Sequence, residues 1–195
     1  MGWTCTEKPY DVKNYLDSLH VYTNSEREYT LLASALKHFN TYYAALKITD
    51  KETGAYEVVC SVILVTYRQE GGFSEMCYKE MGETCGPVVA DCPEKILKLL
   101  TPTDNENANE WRERCWDNIK CRKKLSKMLK HGEKVTFKEP MKFTDGTEHK
   151  EMYVVRSASG RKVSFSTYRI EEQSPWHCGS YSISRDALLT SLEGL

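Results

Sequence analysis

The stretch Val58-Val-Cys-Ser-Val-Ile-Leu-Val65 is the longest apolar run in the chain, eight residues long. That length suits one buried strand and falls far short of the roughly twenty residues a membrane-spanning helix needs. Turn signals bound the run on both sides. Asp50-Lys-Glu-Thr-Gly54 precedes it and Gly71-Gly72 follows it. Thr41 to Thr49 and Tyr56 to Tyr67 are rich in Val, Ile, Tyr and Thr, so the two segments read as a hairpin with a five-residue loop. Phe73 to Met81 reads as a further strand. Connections this short exclude parallel pairing, which needs crossovers of about a dozen residues or more. The expected class is therefore α+β, with an N-terminal antiparallel sheet.

Helices flank that sheet in the sequence pattern. Pro9 to Leu19 places Val12, Tyr15, Leu16 and Leu19 on one stripe, with Asp11 at the positive end. Tyr29 to His38 is ambiguous. Leu31, Leu32, Ala35, Leu36 and Phe39 fit a helix, whereas the Tyr-Tyr-Ala segment after them fits a strand. Asp91-Cys-Pro-Glu94 has the form of a capping box before Ile96, Leu97, Leu99 and Leu100. Thr103-Asp-Asn-Glu106 repeats that form and opens a long helix carrying Ala108, Trp111, Cys115, Ile119, Leu125, Met128 and Leu129. Lys130-His131-Gly132 supplies its stop. From Glu133 onward, short strands (Val135 to Phe137, Lys142-Phe143, Met152 to Arg156, Lys162 to Ser166) alternate with Asp-Gly and Ser-Gly turns. These predict a small β-rich, barrel-like lobe, and Ser184 then starts a short terminal helix. The expected domains are 1–131 and 132–195.

Charge is the strongest functional signal. The chain of 195 residues carries a net −1, yet residues 1–110 hold 10 Lys+Arg against 17 Asp+Glu, and the remainder holds 17 against 11. An acidic part thus precedes a basic part. Two lobes that complement each other would show this pattern, and so would one face that meets a polyanion. The basic excess concentrates between Arg112 and Lys134, where nine cations stand against three acids. Lys120, Lys123, Lys124, Lys127 and Lys130 recur at three- and four-residue spacing, which makes a cationic ridge on a helix. Such a ridge can track phosphates or remain a solvated face. Arg112, Arg114, Lys120, Arg122, Lys123, Lys124, Lys127 and Lys130 are therefore the candidate contacts for nucleic acid, a host nucleoprotein or an acidic protein surface. Trp176, beside Pro175 in a loop, is a further candidate for partner contact.

Catalytic and metal signals are weaker. Asp91, Asp104, Glu106 and Glu110 could form a metal-dependent nuclease cluster, but their positions suit helix capping equally well and no metal-binding motif adjoins them. Cys92 before Pro93, at a helix start, could become a thiolate nucleophile with a histidine or serve as a structural thiol. No phosphate-cradling glycine loop occurs, and no cofactor is expected. The eight cysteines contain no C-x-x-C pair. Without a visible signal peptide, free thiols in the cytoplasm are the expectation. The oligomeric state leaves no trace in the sequence.

Three segments carry a resemblance: Met1-Gly-Trp-Thr4, Tyr78-Lys-Glu-Met-Gly-Glu-Thr-Cys-Gly-Pro87, and Asp91-Cys-Pro93 through Ile96-Leu-Lys-Leu-Leu100 to Pro102-Thr-Asp-Asn-Glu106 and Glu110-Trp-Arg112. The strand-turn Met141-Lys-Phe-Thr-Asp-Gly146 adds to it. Together they resemble a family of small uncharacterised proteins carried by phages, prophages and conjugative elements of Gram-positive bacteria. No catalytic residue follows from that resemblance. It implies an accessory gene on a mobile element, where counter-defence roles are common, and it favours a strand over Tyr29 to Leu36.

Overall fold

A computed structural model describes residues 2–38, 40–70, 73–156, 162–169 and 180–194. They form two compact units, 1–118 and 119–195. The class is α+β, with antiparallel pairing throughout both sheets.

In the first unit, six strands make a curled sheet. They are β1 (Thr4–Glu7), β2 (Tyr22–Thr23), β3 (Arg27–Lys37), β4 (Thr41–Asp50), β5 (Tyr56–Glu70) and β6 (Phe73–Gly82), in spatial order β1-β6-β5-β4-β3-β2. The apolar run from Val58 to Val65 lies in β5, two strands in from the edge. Both of its faces are covered, which is why it does not alternate with polar residues. Helix α1 (Val12–Ser18) covers one face. Its Asp11 cap accepts from the Asn14 amide at 3.0 Å, and Leu16 packs with Tyr42, Ala44, Ile63, Val65 and Met76. On other elements, Ile96 of the short helix α2 (Glu94–Leu97) and Ala108, Trp111 and Cys115 of α3 (Glu106–Met128) are also buried.

The segment that the residue pattern leaves open is strand β3, as the resemblance favours. Several expectations are corrected here. The Asp91 capping box does not form: α2 begins after Pro93 with no side-chain cap, and Asp91 instead accepts an ion pair from Lys37 at 2.8 Å. The long helix starts at Glu106. Asn105, not Thr103, meets its free amides, accepting from Ala108 N at 3.0 Å. Thr103, two residues earlier, accepts from the Asn105 amide. The expectation of free thiols fails at one pair, since Cys5 of β1 and Cys77 of β6 are joined by a disulfide.

In the second unit, β7 (Lys134–Lys142), β8 (Glu148–Arg156), β9 (Lys162–Ser166) and β10 (Tyr181–Ser184) form a four-stranded sheet in the order β10-β9-β8-β7. Helix α4 (Arg185–Ser191) follows, capped by Ser184, whose hydroxyl accepts from Ala187 N at 3.2 Å. Leu125 and Leu129, from the end of α3 and just beyond it, share one core with Phe137, Met152, Val154, Phe165, Leu188 and Leu192. The Asp-Gly signal is a real turn. Gly146 sits at φ +83°, and Asp145 accepts from both the amide and the hydroxyl of Thr147.

Candidate nucleic-acid interface

The stretch from Ile119 to Lys130 contains six cations and no carboxylate. Leu125 fixes its orientation, because that side chain is buried in the core of the second unit. At 3.6 residues per turn, Lys123 and Lys127 point about 160° away from Leu125, and Lys120 about 140° away. Lys124 points about 100° away, on the flank of the same face. All four are exposed, as is Lys130, which lies two residues past the helix end at Met128. Arg122 lies nearer the core side and is half-buried.

Three lysines of the adjoining strands are ion-paired. Lys134 pairs with Glu151 at 2.6 Å, Lys142 with Glu148 at 2.9 Å and Lys150 with Glu193 at 3.5 Å. Lys124, Lys127 and Lys130 make no ion pair among the described residues. With no acid in the segment, their charge faces water, where phosphates can displace counterions.

The two arginines lie elsewhere. Arg112 Nε and Nη2 donate to the Glu83 carboxylate, both at 2.7 Å, and Nη1 donates to the Thr101 carbonyl at 2.6 Å. Glu83 is 2% exposed and also accepts from the Cys60 amide. This is a bidentate buried pair with every carboxylate oxygen engaged. Arg114 donates to the Pro87 carbonyl at 3.0 Å. Trp111 is fully buried, its Nε1–H donating to the Val89 carbonyl. Trp176 lies outside the described residues.

The carboxylates Asp91, Asp104, Glu106 and Glu110 are not gathered. Among the described residues no group of three or more His, Cys, Asp or Glu is placed to hold a metal ion. Cys92 is 1% exposed, and contact with the Cys60 thiol together with burial pushes its own thiol well above the ordinary range. Burial likewise pushes Cys115 up to about 11. Neither ionises near neutral pH, so neither is an activated nucleophile.

One constellation has no signature in the sequence. His20 Nε2 lies 2.9 Å from Ser61 Oγ and 3.3 Å from Glu80 Oε1, and His20 Nδ1 donates to the Leu16 carbonyl at 3.0 Å. The Ser61 hydroxyl donates to Glu80 at 2.9 Å. The His20 ring, working against burial and helped by Ser61, holds the Glu80 carboxyl below its usual range. Spacing between serine and histidine suits a nucleophile and its base. However, Ser61 and His20 are 4% and 3% exposed, and the serine proton points to Glu80. The group ties the end of α1 to β5 and β6. Partners at 41 and 60 residues from His20 follow no motif, so only the folded sheet reveals it.

Residues 102–186 match the model of a family described as a domain of unknown function (DUF6927). No curated protein and no solved structure matches the chain.

Proposed function

We propose that this chain is a binding protein that engages nucleic acid, free or within a nucleoprotein, through Lys120, Lys123, Lys124, Lys127 and Lys130. The observation that carries the reading is the row of exposed lysines opposite Leu125, in a segment without a single acid. Arg112 and Arg114 take no part, because their guanidinium groups are held by Glu83, Thr101 and Pro87. Lys120, Lys123 and Lys127 follow one another about 4.5–6 Å apart along the helix axis, so they spread their charge over more than one phosphate. Contacts of this kind position a protein on a backbone and read no sequence.

The resemblance to proteins of phages and conjugative elements gives the reading a biological form. An accessory protein that occupies a bacterial defence complex, such as a CRISPR effector or a restriction enzyme, can use this kind of backbone contact. A pull-down from host lysate tests it, with and without nuclease, using wild type and the Lys120→Ala/Lys123→Ala/Lys124→Ala/Lys127→Ala variant. The reading expects recovery to fall in the variant and after nuclease. Equal recovery in all four arms overturns it and leaves the acidic N-terminal part as the contact surface for a protein partner.

A further inference from the structure

We propose that the Cys5–Cys77 disulfide is a redox-sensitive latch that holds β1 on the edge of the first sheet, and that reduction by a dithiol releases the strand while the sheet stays folded. The residues of β1 show how little else holds it. Its four side chains include none that is buried, and none joins the core under α1. Glu7 stands directly opposite Glu75 in the register, a like-charge pair that opposes the pairing. Besides the short backbone ladder, the Lys8 amide bonds to the Ser74 carbonyl, and the Lys8 ammonium lies 5.2 Å from the Tyr67 ring. Strand β6 has no such dependence. It keeps ten paired positions with β5 on its other side, and it buries Met76.

The thiol chemistry is selective. Cys5 is exposed and Cys77 is buried, so an incoming thiolate meets the Cys5 sulfur first. Attack forms a mixed disulfide on Cys5 and expels Cys77 as a thiolate, which takes up a proton. The second thiol of the reductant then attacks its own sulfur in the mixed disulfide and frees Cys5. Two electrons and two protons pass from the dithiol to the protein, and the reductant leaves as a disulfide. The buried thiols Cys92 and Cys115 stay out of the exchange because they remain protonated. Release uncovers the hydrogen-bonding edge of β6 from Ser74 to Tyr78, the stretch that β1 and Lys8 cover.

Hydrogen exchange on the full chain, with and without dithiothreitol, tests the latch, alongside peptide mapping of alkylated cysteines. The expected result is that Cys5 and Cys77 become alkylatable only after reduction. The amides of residues 5–8 then exchange about tenfold faster or more, while those of β4 and β5 hold their protection. Removing the reductant under oxidised dithiothreitol restores the slow exchange, and Cys5→Ser reproduces the fast exchange without reductant. Three results overturn the proposal: both cysteines alkylatable in the untreated protein, unchanged exchange in β1 after complete reduction, or simultaneous loss of protection across the whole sheet.

Discussion

Arg112 illustrates how a residue's partners decide its role more firmly than its type does. It lies in the most basic stretch of the chain, yet it closes a bidentate pair on a carboxylate that is 2% exposed. Removing the guanidinium strands that charge in the interior, so Arg112→Ala should lower stability by about 3–5 kcal/mol. Lys123→Ala, on the exposed face, should change it by about 0.5 kcal/mol or less. Urea denaturation of the two variants checks the contrast. Asp17 sets a pH dependence of definite sign. Burial alone would push its carboxyl up, but hydrogen bonds from Lys13, Ser34 and Tyr42 outweigh burial and hold it below the usual range. A depressed acid adds stability that is fully present above its unfolded value, near 3.9, and that disappears as pH falls through the lower folded value. Between about pH 5 and pH 2 the wild type should therefore lose more stability than Asp17→Asn, which has no proton to take up. Denaturation midpoints across that range would show it, and parallel losses would contradict it.

At the scale of elements, hairpins were legible because their loops are short and their turn residues explicit. The β4–β5 loop and the Asp145-Gly146 turn fall where Asp50 to Gly54 and the Asp-Gly pair place them. The residue pattern of β3 is ambiguous for a physical reason. A register shift between Leu31 and Ala33 inserts an extra residue against β4. Leu31 and Leu36, an odd number of positions apart, therefore face the same side, opposite Leu46 and Tyr42. The bulge breaks the period of two, so the leucines mimic a helix. Strand β1 escaped because four mostly exposed residues carry no hydrophobic pattern, and the disulfide escaped because partners 72 residues apart are joined only by sheet order. At the caps, the sequence pattern placed both helices but named the wrong residue for α3, since Asn105 accepts from the Ala108 amide while Thr103 holds the Asn105 amide. Ser184 was read correctly. Ser184→Ala should cost about 1 kcal/mol through the freed Ala187 amide, measurable as a lowered thermal midpoint.

For the whole molecule, net charge is a poor guide and its distribution a better one. A total of −1 conceals an acidic stretch and a segment of twelve residues with six cations and no acid. The location of the ridge was legible from three- and four-residue spacing alone. Its membership was not, because Arg112 and Arg114 belong to the same basic stretch and only the fold shows the groups that hold them. A ridge that binds phosphates makes a quantitative claim, because each neutralised phosphate releases counterions and steepens the loss of affinity with salt. The deciding measurement is the affinity for a fluorescent random-sequence DNA duplex and a matched RNA between about 50 and 200 mM salt, for wild type and the Lys120, Lys123, Lys124, Lys127 quadruple alanine variant. The account predicts a slope of about −3 to −4 in log K against log salt for wild-type duplex binding, flattened to near zero in the variant, with little difference between sequences. Equal slopes in the two proteins, or no binding at low salt, would contradict it.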